Sequence, residues 1–122
     1  MNFKILIADD DYINRRLLIS LLREALYQIE VFEVTNGYDA LKVCHDEDIQ
    51  LILLDIEMPQ MDGSDFIDYY NESDDLPDIP IIIVSSNDLR SKELLEKGAD
   101  IFILKPVTKD KINSAIQRVL SS

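Results

Sequence analysis

Five short apolar runs, each followed by a segment of helical periodicity, recur along this chain of 122 residues and limit its fold more than any other feature. Phe3-Lys4-Ile5-Leu6-Ile7-Ala8 is apolar at nearly every position, which predicts a strand buried on both faces. Asp9, Asp10 and Asp11 follow, and then a long helical pattern from Tyr12 to Tyr27. Glu30 to Val34 is a second, more weakly apolar strand, closed by the turn signal Asn36-Gly37. Tyr38 to Glu47 reads as a helix carrying Ala40, Leu41 and Cys44 on one side. Leu51-Ile52-Leu53-Leu54 is the third strand and runs into Asp55; the loop Ile56 to Gly63 then leads to a helix through Tyr70. Ile79 to Val84 reads as a fourth strand, with Pro80 at its start, where a missing N–H is tolerated. Asn87 to Lys97 reads as a helix with Gly98 in the C′ position. Ile101 to Leu104 is the fifth strand, and Thr108 is placed to N-cap a last helix reaching Leu120.

Strand and helix alternating through short connections predict an α/β fold, a parallel sheet with helices on both faces joined by right-handed crossovers. No linker, internal repeat or output domain is visible, so residues 1–122 read as a single domain. No apolar run approaches the ~18 residues of a membrane span, and Met1-Asn2-Phe3-Lys4 lacks the apolar core of a signal peptide. Cys44 is the only cysteine and cannot form an internal disulfide or a Cys-based zinc site. A cytoplasmic location without membrane association is the expectation.

Charge narrows the function. Twelve Lys and Arg stand against 24 Asp and Glu, a net −12, which disfavours direct nucleic-acid binding. The balance is uneven. Val43 to Leu89 holds 13 acids and no Lys or Arg, whereas Arg90 to Ser122 holds seven bases and four acids. An acidic middle suits a cation site or a basic partner, and equally serves solubility.

In an open α/β sheet, ligands bind at the carboxyl ends of the strands. The residues following the predicted strands are Asp9 and Asp10 after the first, Asp55 after the third, Ser85 after the fourth and Lys105 after the fifth. The second strand, followed by Thr35, offers nothing comparable and is expected at an edge. Three converging carboxylates would repel one another unless a cation joins them, and Mg²⁺ suits a few carboxylates plus water and phosphate oxygens. With such an ion, the Lys105 ammonium and the Ser85 hydroxyl, the site is arranged to receive a phosphoryl group. A carboxylate can itself take that group as an aspartyl phosphate, and Asp55, alone at a central strand end, is the candidate nucleophile. Each residue also has a plain structural role. Asp9, Asp10 and Asp11 could favour a helix N-terminus, Asp55 could close a turn, Ser85 or Asn87 could cap a helix, and Lys105-Pro106 could turn the chain. Those roles do not explain why the aspartates, the serine and the lysine all fall on the ligand-binding rim.

These residues resemble the receiver domain of two-component response regulators, over essentially the whole chain. The resemblance is carried by Ile7-Ala8-Asp9-Asp10, by Leu54-Asp55-Ile56-Glu57-Met58-Pro59-Gln60-Met61-Asp62-Gly63, by Val84-Ser85, by Lys105-Pro106 and by Asn36-Gly37-Tyr38-Asp39-Ala40-Leu41. It implies a doubly wound, flavodoxin-like (βα)5 sandwich with strand order 2-1-3-4-5. It implies that Asp55 is the phosphoacceptor and that Asp9, Asp10, Asp55 and the backbone carbonyl of Glu57 hold Mg²⁺ or Mn²⁺. Ser85 and Lys105 would contact phosphoryl oxygens, Lys105-Pro106 would be a cis peptide, and Ser85 with Phe102 would form the switch pair. Glu57 and Asn87 occupy the positions that tune phosphoryl lifetime. Ser86 follows Ser85 where the family often has Ala or Gly, a departure that could narrow access to the phosphate.

The segment Asp10 to Leu18 looks like the receivers of phosphorelays and hybrid kinases, which implies a sensor histidine kinase or a histidine phosphotransfer protein as donor. Apolar residues cover more than half the circumference of the first predicted helix, wider than one core face needs, so Ile13 and Leu17 are candidate docking residues. The downstream target is not written in the sequence, and a monomer or weak dimer is expected. Cys44 reads as a helix core residue and His45 as a surface residue. The runner-up function is a receiver-like adaptor working without phosphorylation, whose usual sign, a missing site residue, is not seen. A haloacid-dehalogenase-like phosphatase would need Thr where Ile13 stands, and a flavodoxin-like cofactor binder would not place three aspartates where a phosphate must bind.

Overall fold

The computed structural model describes residues 2–121. Among them the strands are β1 (Phe3–Ala8), β2 (Ile29–Val34), β3 (Leu51–Leu54), β4 (Ile81–Ser85) and β5 (Ile101–Leu104). They alternate with helices α1 (Tyr12–Ala25), α2 (Gly37–Asp46), α3 (Gly63–Glu72), α4 (Ser91–Glu96) and α5 (Lys109–Leu120), with a 3-10 turn at Asp88–Arg90 before α4. All strand pairings are parallel, in the order β2-β1-β3-β4-β5, so β2 is an edge strand and β1, β3 and β4 are interior.

The near-continuous apolar character of the interior strands follows from burial on both faces. Alternate residues feed two cores. Leu6, Ala8, Ile52, Leu54, Ile81 and Ile83 pack with Ala40 and Cys44 of α2, Phe66, Ile67 and Tyr70 of α3 and Leu94 of α4. Ile5, Ile7, Leu51, Leu53, Ile82 and Val84 face the other way, toward Leu18, Ile19 and Leu22 of α1 and Ile112, Ala115 and Ile116 of α5. Cys44 is buried, which pushes its thiol up to about 12 and leaves it a packing residue. His45 is on the surface, 3.4 Å from Asp75.

The boundaries differ from the periodicity in five places, some set by tertiary pairing and others by local caps. α1 stops at Ala25 instead of Tyr27, because Leu26 is extended and Gln28 takes φ 55° so that Ile29 can pair with Phe3. β4 starts at Ile81 rather than Ile79: the Ile79 N–H donates to the Tyr70 hydroxyl at 2.7 Å, and Pro80 has no N–H. Ser85 is the last residue of β4 and not the first beyond it. The helix expected over Asn87 to Lys97 is a 3-10 turn followed by a short α4, because the Asn87 side chain accepts the Leu89 N–H at 3.0 Å and tightens the first turn. Likewise Asn36 is the N-cap of α2, accepting the Asp39 N–H at 2.9 Å, and Gly37 is already helical.

Candidate functional site

Three residues just past the strands continue the sheet's backbone ladder by one step. The Asp9 N–H donates to the Val34 carbonyl at 3.0 Å, Asp55 to Ala8 at 2.8 Å and Lys105 to Ser85 at 2.8 Å. The backbones at these positions are therefore as fixed as the strands, and their side chains leave from one rim. Asp9, Asp10 and Asp55 each bring a carboxylate oxygen within 4.8 Å of the others. Asp9 and Asp55 are buried and Asp10 is exposed, so the cluster has two deep groups and one open to solvent. The Lys105 ammonium bridges the deep pair, 3.5 Å from Asp9 Oδ2 and 3.7 Å from Asp55 Oδ2. The Lys105-Pro106 peptide is cis.

Burial and the charge of Asp9 push the Asp55 carboxyl up to about 6, against the opposing pull of Lys105 and of the backbone N–H groups of Glu57 and Ile56. The Glu57 N–H lies 3.4 Å from Asp55 Oδ1, and its side chain is exposed. Ser85 is buried at the end of the neighbouring strand, where its Oγ accepts the Asn87 N–H at 3.2 Å. Asn87 itself caps the 3-10 turn. Phe102 is half-buried on β5, against the core face that holds α2, α3 and α4. Ile13 and Leu17 stand exposed on α1, at 73% and 41%. The structure thus gathers Asp9, Asp10, Asp55 and Lys105 directly, places Ser85 at the adjacent strand end, and leaves Phe102, Ile13 and Leu17 outside the polar cluster.

Two groups of neighbours are not evident from strand-end reading. Asn14 and Arg15, at the start of α1, reach back over β1: the Asn14 amide donates to Asp9 Oδ2, and Arg15 Nη1 donates to the Asp9 carbonyl at 2.8 Å. The spacing of five and six residues from Asp9 is one helix turn beyond the cap and was the available signal. The second group pins the loop after Asp55. A Cβ on Gly63 would lie 2.3 Å from the Asp55 carbonyl oxygen, and one on Gly37 would lie 2.6 Å from Met61 Cγ. Glycine at these positions lets two backbones approach the loop, and the Gly63 N–H donates to Ile56 O and the Gly37 N–H to Met61 O, both at 2.7 Å.

The donor set is hard oxygen in a water-accessible pocket, which suits a small divalent cation better than a soft one. Asp9 accepts on both oxygens from protein donors and is thereby held, while Asp10 is free to meet solvent ions. A buried carboxylate, an ammonium and a hydroxyl at one rim can receive an anion with several oxygens.

The sequence model of the response regulator receiver domain matches residues 5–117. The rice protein "Two-component response regulator ORR3" (Oryza sativa subsp. indica) is 33% identical over 119 residues, covering 95% of this chain and 89% of its own length. Rice ORR5 (Oryza sativa subsp. japonica) is 34% identical, covering 95% and 87%. Among solved structures, a CheY-like response regulator receiver domain protein from Methanospirillum hungatei JF-1 superposes with a TM-score of 0.83 at 25% identity, covering 99% of this chain and 95% of that one. The receiver domain of the sensor histidine kinase PA1611 from Pseudomonas aeruginosa PAO1, solved with a magnesium ion in its active site cleft, shares the fold at a TM-score of 0.86 and 23% identity, each chain fully covered.

Proposed function

The chain belongs to the response regulator receiver domain family of two-component systems, and on that premise we propose that Asp55 accepts a phosphoryl group from a histidine donor. The observation that carries the assignment is the meeting of Asp9, Asp10 and Asp55 within 4.8 Å, with the Lys105 ammonium 3.7 Å from Asp55.

Mg²⁺, or Mn²⁺ in its place, would be held by the Asp9, Asp10 and Asp55 carboxylates and the Glu57 carbonyl. When bound, it offsets negative charge on the phosphoryl oxygens. An Asp55 carboxylate oxygen attacks phosphorus in line with the scissile bond; the phosphorus–nitrogen bond of the phosphohistidine breaks, and its electron pair stays on the departing imidazole. With its carboxyl pushed up to about 6, Asp55 is still mainly ionised at pH 7 and remains a nucleophile. Lys105 and Ser85 donate to the transferred oxygens. Hydrolysis of the acyl phosphate by water returns Asp55 and inorganic phosphate. The domain is a regulatory acceptor that acts on itself, with no separate substrate to turn over.

Residues 1–122 form one receiver unit. Ser85 and Phe102 report the phosphoryl group to the β4–α4–β5 side, Glu57 and Asn87 set its lifetime, and Ile13 and Leu17 meet the donor, a sensor histidine kinase or histidine phosphotransfer protein. Among the described residues no helix is long and apolar enough to cross a membrane. The proposal places the domain in the cytoplasm as a monomer or weak dimer, and the net −12 disfavours nucleic-acid contact. The test is intact mass after incubation with acetyl phosphate and Mg²⁺. One added phosphoryl group is expected, absent in Asp55→Asn and after chelation. An adduct that survives Asp55→Asn overturns the assignment.

A further inference from the structure

The buried stripe of α1 consists of Asn14, Leu18, Ile19 and Leu22. The three apolar members pack into the core shared with α5; the member nearest the strand ends is an amide. Asparagine is a poor helix former, and a buried amide is costly unless hydrogen-bonded. Position 14 therefore does little for α1 itself. The Asn14 Nδ2 donates to Asp9 Oδ2, the same oxygen that Lys105 approaches at 3.5 Å, while Asp9 Oδ1 accepts the Asp11 N–H at 2.8 Å. With a donor on each oxygen, the carboxylate plane cannot rotate. Arg15 secures the same residue from its backbone side, donating to the Asp9 carbonyl at 2.8 Å while its Nε rests on Glu33 at 3.0 Å.

A neutral donor has a distinct consequence here. A cation at position 14 would discharge the carboxylate cluster, and an apolar side chain would leave Asp9 Oδ2 to Lys105 alone. The amide orients Asp9 and leaves the cluster's negative charge available. We infer that Asn14 is a positioning residue for cation binding, holding the Asp9 carboxylate in its coordinating orientation before the ion arrives. This inference rests on the reading of Asp9 as a cation ligand.

Calorimetric titration with Mg²⁺ separates the two. Wild type, Asp9→Asn, Asn14→Ala, Asn14→Leu and the exposed α1 control Ser20→Ala are compared, with thermal unfolding in chelator recorded for each. Groups that hydrogen-bond a metal ligand are worth about 10–100-fold in affinity, so Asn14→Ala and Asn14→Leu are both expected to weaken Mg²⁺ by about tenfold. Ser20→Ala is expected to match wild type. Asn14→Leu fills the volume without the donor and carries the comparison alone if the alanine variant does not fold. Affinity that returns in the leucine variant, or is unchanged in both while only chelated stability falls, makes Asn14 a packing residue and overturns the inference with the site reading intact. A wild type that does not bind Mg²⁺, or binding that survives Asp9→Asn, overturns both.

Discussion

At the scale of single residues, Asp55 carries a cost that its chemistry requires. Its carboxyl is pushed up to about 6 from an ordinary 3.8, first by burial and then by the charge of Asp9. The folded state therefore keeps a proton that the unfolded chain has already released, and stability falls as pH rises from about 4 to about 6, the cost being fully present above that. Asp55→Asn removes it. In chelator at pH 7 the variant is expected to be more stable than wild type by about 1–3 kcal/mol, the two converging below about pH 4. Urea unfolding at pH 4, 5, 6 and 7 measures the difference; a constant gap across that range contradicts the buried-carboxylate account. Gly63→Ala is a second residue-scale case. Its Cβ would meet the Asp55 carbonyl at 2.3 Å, backbone against backbone, so about 1–3 kcal/mol of destabilisation and loss of phosphoryl uptake are expected from urea unfolding and intact mass. Asp9, Asp10, Asp55 and Lys105 were legible because a strand end fixes where its next side chain points. Asn14 was not, because whether a helical amide reaches back to Asp9 depends on how α1 lies against β1.

At the scale of elements, α4 is the one held by polar side chains as much as by its core. It spans six residues and buries Leu94. Long side chains tie it to α3: Lys97 Nζ reaches Ser64 Oγ at 2.9 Å and Asp68 at 3.0 Å, Arg90 lies 3.8 Å from Asp62, and Asn71 donates to the Lys97 carbonyl at 2.7 Å. Exposed ion pairs contribute little singly, but several converging on one short helix restrain its local opening. Lys97→Met is expected to speed hydrogen exchange across residues 91–97 about threefold and to leave β1 and β3 unchanged; equal effects on all elements would show global rather than local loosening. On α1 the exposed Ile13 and Leu17 lie on the face away from the core. Leu17→Ala is expected to slow phosphotransfer from the histidine donor several-fold with acetyl phosphate uptake unaltered, and equal loss in both assays removes the docking role. Element types were legible because period and burial agree. The start of β4 was not, since it turns on the Tyr70 hydroxyl capturing the Ile79 N–H from another element.

At the scale of the whole molecule, the two cores and the rim divide the labour. Both faces of the sheet are filled with apolar side chains, so the buried carboxylates are confined to one end. Alternation predicted a parallel sheet covered on both faces, but not which strands are neighbours; that order came from the family resemblance, since alternation alone fits several strand orders. The net −12 adds a diffuse repulsion to the local one at Asp9, Asp10 and Asp55, and the two respond differently to ions. Monovalent salt screens the diffuse part over about 10 Å at 0.1 M. A site for a divalent ion adds linkage, worth about 2.7 kcal/mol at a hundred times Kd, or roughly 10 °C in melting temperature for a domain of this size. Calorimetric scans in Mg²⁺ and in NaCl of equal ionic strength are therefore expected to separate, with the larger rise in Mg²⁺. Asp9→Asn is expected to lose most of the Mg²⁺ increment and keep the NaCl one, because it dismantles the cluster while leaving 23 of the 24 acids in place. Equal rises in the two salts would reduce the acidic rim to general screening, and the three carboxylates would then have no cation of their own.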